Sequence, residues 1–383
     1  MQSLRPQPTN PPPASSRTEI RALNIGYVPL TDAAPLLVAN AKGFFRRCGL
    51  TVHLTPAQSW AGLRDKVAFG LLDVAQMLSP MPIAASLGLG GIQTDLVVTA
   101  TLGRNGNTIT IGAALAREIE AAGLAADYPM PATTLCAALS ARRAAGRPMP
   151  VFAVVFPFSS HNYLLRHWLA AAGIDPEHDI RLIVVPPPLV AEALADGHID
   201  GFCAGEPWGS RAVDLRVGHI VYSTGDIWPN HPEKVLAFTA VLAARDPHRV
   251  TLCTAAILAA CAWLDDPQNR AEAVHILTDA LPSVPKETIA LAFNAELQPR
   301  PDAEAVPAPA LVFQHGGASY PFPAHGVWWL SQMRAWGHVP KDTEDTIIDR
   351  IWRPDLWCRA ATITADPVPA TDIATPPPGG LAP

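Results

Sequence analysis

The sequence is poor in charge: only 16% of its 383 residues are charged, and the acidic ones outnumber the basic ones, leaving a net charge of −6. A broad nucleic-acid or membrane-binding surface needs a basic excess, so that class is excluded. A small anion site is not, because it needs one local cation and a few donors. Cysteine pairs at metal or redox spacing are missing as well. Cys48, Cys136, Cys203, Cys253, Cys261 and Cys358 form no CxxC, which removes zinc and thioredoxin-like readings and leaves reduced, mostly buried thiols as the expectation. Long apolar runs are lacking too. The longest, Leu252 to Leu264, falls short of the ~20 residues a membrane-spanning helix needs and reads as a buried helix. There is no GxGxxG after a strand, no GxxxxGK[ST], no GxSxG and no HExxH. The expectation is a protein that is not an enzyme and holds no cofactor and no metal. The opening residues, MQSLRPQPTNPPPASSRTEI, lack the basic start, apolar stretch and cleavage site of an export signal, which predicts a cytoplasmic protein.

What the chain does have is alternation. Ala22–Val28 reads as a strand, Ala33–Arg47 as a helix stopped by Gly49, Thr51–Leu54 as a strand, and Ser59 as the cap of a helix through Phe69 with Leu63 and Val67 on one face. Leu72–Met77 is a further strand and Pro80–Leu87 a short helix. The pattern restarts after an Ala-rich stretch, Arg117 to Pro150. Strands at Val151–Phe156, Arg181–Val185 and Ile199–Cys203 are separated by helices at Ser159–Ala172 and Leu189–Leu194. Lys234–Ala243 reads as a strand returning to the first sheet, followed by helices including Thr251–Leu264 and Arg270–Ala280. Two βα units with mainly parallel sheets, and a chain that crosses and returns, imply an α/β, two-lobed, periplasmic-binding-protein-like fold of type II with a ligand cleft between lobes. The expected divisions are a disordered tail at 1–18, lobe I at 20–110 and 231–364, lobe II at 111–230, and a second disordered tail at 365–383.

Five stretches then carry a resemblance: GYVPLTDAAPLLVANAKGFF (26–45), SWAGLRDKVAFGLLDVAQMLSPMPIAASLGLG (59–90), SSHNYLLRHWLAAAGIDP (159–176), VVPPPLVAEALADGHIDGFCAGEPW (184–208) and WPNHPEKVLAF (228–238). Together they resemble the nitrate-binding NrtA-like solute receptors of cyanobacterial ABC transporters, and more closely the cytoplasmic NasS-type nitrate/nitrite sensors. The resemblance runs over roughly residues 20 to 360.

It implies a ligand in the cleft and a short list of contacts. Trp60, just after Ser59, would donate its indole N–H, which suits a ligand offering only acceptors. Asn107 stands in RNGNTIT where the receptors often carry Gln. A shorter amide there either donates to the anion or is simply a turn residue. His161, with Ser160 before it, falls in the first turn of a helix, where free N–H groups and the dipole favour an anion and a neutral imidazole. Lys234 in HPEKVLAF would supply the balancing positive charge. Bicarbonate-binding relatives tend to place an acidic group at that position, so Lys234 favours nitrate or nitrite. Glu206 and Trp208, in the GEPW match, read as wall and hinge packing, with Glu206 a candidate acceptor for Lys234 or His161. Asp32 reads as a helix cap.

In such a sensor the anion bridges both lobes and favours the closed form. The resemblance implies a NasT-like ANTAR antiterminator as partner, released when nitrate or nitrite binds, with no direct nucleic-acid contact and no membrane. Three alternatives stand beside it: an ABC-transporter receptor for nitrate or nitrite, a receptor for another small anion such as bicarbonate or a sulfonate, and a thiamine-pyrimidine synthase. The last needs a clustered cysteine motif that the chain lacks.

Overall fold

Ten strands, β1 Leu23–Tyr27, β2 Val52–Pro56, β3 Val74–Leu78, β4 Leu96–Arg104, β5 Asn107–Gly112, β6 Val151–Val154, β7 Arg181–Val184, β8 Gly201–Gly205, β9 Gly218–Ser223 and β10 Pro232–Thr239, form two sheets in a computed structural model that describes residues 22–374, 376 and 377. The tail expected at 1–18 lies outside the described residues. The first sheet has the order β2-β1-β3-β10-β4 and the second β7-β6-β8-β5-β9. In each, four strands run in one direction and a single antiparallel strand is inserted, β10 between β3 and β4, and β5 between β8 and β9. The sheets are therefore mixed rather than simply parallel. Every residue of β3, β4, β5 and β8 is buried, so even the alternating β5, NTITIG, encloses its threonines.

The lobes are joined where the chain crosses between sheets. The first crossing is a tight turn from Arg104 to Asn107, with Asn105 and Gly106 at positive φ of 62° and 91°. Gly106 is required there twice over, by its backbone and because a Cβ would lie 2.6 Å from Leu311. Asn107 therefore opens the second sheet, a few residues ahead of the division expected at 110. The second crossing returns from Ser223 through Asn230, also left-handed at φ 57°, to Pro232. The two crossings are tied together, since Asn105 N donates to His231 O at 3.1 Å and the Arg104 guanidinium to Asn230 O at 3.2 Å. Trp228, at the second crossing, packs against Trp328 and Trp329 with ring centroids 4.5 and 5.3 Å away. Such pairs add about 0.5–1.5 kcal/mol each beyond the area they bury.

The helix Pro247–Asp265 has the length and composition to cross a membrane. In this fold it packs against Ala34–Ala41 and Pro354–Thr364, with Cys253, Ala256, Ile257 and Cys261 buried in the core. All six cysteines are unpaired. Residues 366–374, expected to begin a disordered tail, instead lie across the crossings. Asp372 contacts the Arg104 and His325 side chains, and Ile373 O accepts from Asn230 Nδ2 at 3.3 Å.

Candidate functional site

β10 leaves the second crossing and enters the first sheet with an irregular register between Pro232 and Lys234. In a regular strand adjacent side chains face opposite ways. A bulge re-aims one of them. Here it brings Glu233 and Lys234 into contact with each other in one fully buried cluster.

Lys234 Nζ lies 2.7 Å from Asp32 Oδ2, touches the Glu233 carboxylate, and sits 5.4 Å above the Trp60 ring. Asp32 is thus a counter-ion rather than the helix cap expected of it. It occupies the 3-10 turn Thr31–Ala33, and its other oxygen accepts from Gln76 Nε2 at 2.8 Å. A buried ammonium needs such partners, because leaving a charge unpaired in the interior is costly. Burial alone would lower the Lys234 pKa, but Asp32 and Glu233 outweigh it and the lysine is held above its usual value. Burial raises the Asp32 carboxyl.

The other expected residues converge here from both lobes. Trp60 opens the helix Trp60–Ala68, capped as expected by Ser59, whose Oγ accepts from Gly62 N at 3.1 Å. Ser160 and His161 open the helix Ser160–Ala170, where Ser159 Oγ accepts from Asn162 N at 3.0 Å. His161 Nε2 is 3.5 Å from Glu233 Oε1. Burial drives the His161 pKa down to about 3, so its ring is neutral and keeps a single N–H. Trp60 Nε1, Ser160 Oγ and both His161 nitrogens have no hydrogen-bond partner among the described residues.

Asn107 is engaged differently. Its Nδ2 donates to Glu233 Oε2 at 2.7 Å, leaving Oδ1 unpartnered. Glu206 reaches neither Lys234 nor His161. It accepts from Thr108 Oγ1 at 2.8 Å and Ser210 N at 3.2 Å, while its main-chain oxygen joins the lobes by accepting from Thr31 N at 2.9 Å. Trp208 opens the buried helix Trp208–Asp214 and serves as packing.

Glu233 is the residue the sequence reading passed over. Burial pushes its carboxyl up, but Lys234, His161 and His231 pull it down further, to about 2. His231 Nδ1 is 3.7 Å away, and its own pKa is lowered to about 4 by burial. The only hint was its place beside Lys234 in PEK, and alternation along a strand would have turned it away from the site. With Glu233 ionised and both histidines neutral, one ammonium is shared between two buried carboxyl groups. Two of the ammonium's three N–H donors face carboxylates, which leaves one to spend.

Residues 16–278 match the model of the NMT1-like family. The chain is 38% identical to the nitrate import ATP-binding protein NrtC of Synechocystis sp. (strain ATCC 27184 / PCC 6803 / Kazusa) over 88% of its own length, but it spans only 49% of that relative. To the bicarbonate-binding protein CmpA of Synechococcus elongatus (strain ATCC 33912 / PCC 7942 / FACHB-805) it is 31% identical, covering 94% of this chain and 82% of CmpA. The crystal structure of the periplasmic nitrate-binding protein NrtA from Synechocystis PCC 6803 superposes with a TM-score of 0.84 at 29% identity, covering 92% of each chain. The chain belongs to the NMT1-like family and, within it, to the NrtA-like solute receptors.

Proposed function

We propose that the protein binds a small planar oxyanion, nitrate or nitrite first among them, between its two lobes, and that it serves as the binding component of an ABC-type import system. One observation carries this reading. Unspent donors on Trp60, from the first lobe, and on His161, from the second, meet in one buried cluster around Lys234 and Glu233, and the unpartnered Ser160 hydroxyl precedes His161 in the chain. A buried polar group without a partner costs about 1–3 kcal/mol. An anion that offers only acceptors relieves several such costs at once, and it can do so only when the lobes are together. It therefore favours the closed form by its differential affinity. The names of the relatives NrtA and CmpA support a receptor for nitrate or bicarbonate.

Calorimetric titration with nitrate, nitrite, bicarbonate and sulfate, on wild type and Lys234→Ala, tests the assignment. Wild type is expected to bind a monovalent oxyanion and the variant to lose it. Undiminished binding by Lys234→Ala removes the site.

Closure can also be read out by a regulator. The resemblance to NasS-type sensors motivates a second reading, a cytoplasmic sensor that holds a NasT-like ANTAR antiterminator and lets it go when nitrate or nitrite binds. Fractionation of native cells, with pull-down of such a partner with and without nitrate, separates the two. Equal retention in both conditions sinks the sensor reading.

A further inference from the structure

Glu233 sits where an oxyanion's own oxygens would be served. Its carboxylate takes the Asn107 amide at 2.7 Å, contacts the Lys234 ammonium, and stands 3.5 Å from His161 Nε2 and 3.7 Å from His231 Nδ1. Two of the four residues that the sequence assigns to the anion, Asn107 and Lys234, are thus held by an internal carboxylate, and a third, His161, stands beside it without a hydrogen bond. The fourth, Trp60, keeps its N–H unspent. We infer that Glu233 is a specificity-determining residue, a built-in competitor for the donor ring that weakens oxyanions bringing only acceptors relative to those bringing a proton. The inference rests on the oxyanion reading of the site.

The argument is one of donors and charge. Nitrate and nitrite at neutral pH carry no proton, so each must draw Lys234 or Asn107 away from Glu233 while placing a further negative charge beside its ionised carboxylate. Two carboxylate-like groups sharing one site repel unless a proton lies between them. Hydrogencarbonate brings that proton. Its O–H can donate to a Glu233 oxygen while its remaining oxygens accept from Trp60 and Lys234. The site is therefore less one-sided toward nitrate than Lys234 alone implies, and the reason is the bulge that turns Glu233 inward.

The test titrates wild type and Glu233→Gln with nitrate and with bicarbonate. Gln keeps the size of the side chain, removes its charge and can donate as well as accept. The expected result is that nitrate binds about tenfold more tightly to the variant, the worth of one charge-assisted hydrogen bond, while bicarbonate gains little or loses affinity. An unchanged nitrate-to-bicarbonate ratio, with both anions bound, overturns the inference and leaves the oxyanion reading standing. Failure of wild type and variant to bind either anion overturns the oxyanion reading, and the inference with it. If Glu233→Gln does not fold, Glu233→Asp draws the carboxylate back by one methylene and must shift the ratio the same way by a smaller factor. No shift there also counts against the inference.

Discussion

Two cations are buried in this protein near the junction of its lobes, and they are housed in opposite ways. Arg104 spends its guanidinium mainly on fixed groups from separate parts of the chain. Its Nε donates to Ala318 O at 2.8 Å and its Nη1 to Asn230 O at 3.2 Å, with His325 Nε2 at 3.3 Å and Asp372 Oδ1 at 3.6 Å. Of its nitrogens only Nη2 lacks a partner among the described residues. Lys234 spends its charge on two buried carboxylates, and the groups around it on Trp60, Ser160 and His161 are left with unused hydrogen-bonding capacity. A planar fork satisfied by main-chain carbonyls is a clamp, whereas a compact ammonium with rotatable donors can exchange one partner for another. A buried charge alone does not mark a site. Unspent capacity around it does.

The largest expected effect tests the clamp. Arg104→Ala leaves Asp372 without its cation and unties both crossings. Removing one partner of a buried pair costs about 3–5 kcal/mol, and urea denaturation is expected to show a loss of that order. A loss under ~1 kcal/mol would show that the crossings hold without it. Lys234→Met brings a similar loss, because it strands Asp32 and Glu233 in the interior. Here a second change separates the two clusters. Adding Glu233→Gln to Lys234→Met is expected to recover part of the stability, but no oxyanion binding.

Asp372→Asn comes next. The Asp372 side chain is 19% exposed and Arg104 keeps its carbonyls, so the expected loss is about 1–2 kcal/mol. Anion affinity should change by less than about threefold. An affinity loss as large as that of Lys234→Ala would break the division between clamp and site.

That division was only partly legible in the sequence. The strand–helix alternation, the Ser59 cap and the return strand could be read because apolar spacing and capping chemistry are local. The antiparallel insertion of β5 and β10 could not, since strand direction depends on partners distant in the chain. Trp60, Ser160, His161 and Lys234 came from matched segments and converge in the structure. Glu233 was hidden because a bulge breaks the two-residue period on which strand reasoning depends. The tail from 365 looked disordered because composition, Pro-rich and small, says nothing of a single aspartate reaching a buried arginine.

Acid should act on both clusters together. His325, beside Arg104, is lowered to about 4 by burial, His231 to about 4 and His161 to about 3. These folded values lie below the ordinary 6.5, so the unfolded chain takes up protons first. Stability is full above about pH 6.5 and declines as the pH falls toward 4 and then 3. A melting temperature that stays flat from pH 7 to 4 would mean that these rings titrate normally and are not held neutral.

Trp60→Phe is the smallest change and the sharpest test of the difference between the cations. Phe keeps an aromatic face beneath the Lys234 ammonium, now 5.4 Å from the Trp60 ring, and loses the indole N–H, which bonds to nothing in the described protein, together with the bulk of the fused ring. No internal hydrogen bond is removed, so the stability loss should be limited to the volume lost, about 1–2 kcal/mol. Oxyanion affinity should fall about tenfold, the usual worth of one hydrogen bond to a charged ligand. Arg104 Nη2 and His325 Nδ1 also lack a partner among the described residues, but both side chains are bonded into the fold through their other nitrogens, so neither offers that separation. If Trp60→Phe instead leaves affinity unchanged, the unspent indole is packing after all, and the criterion that distinguishes site from clamp fails at the residue where it is easiest to apply.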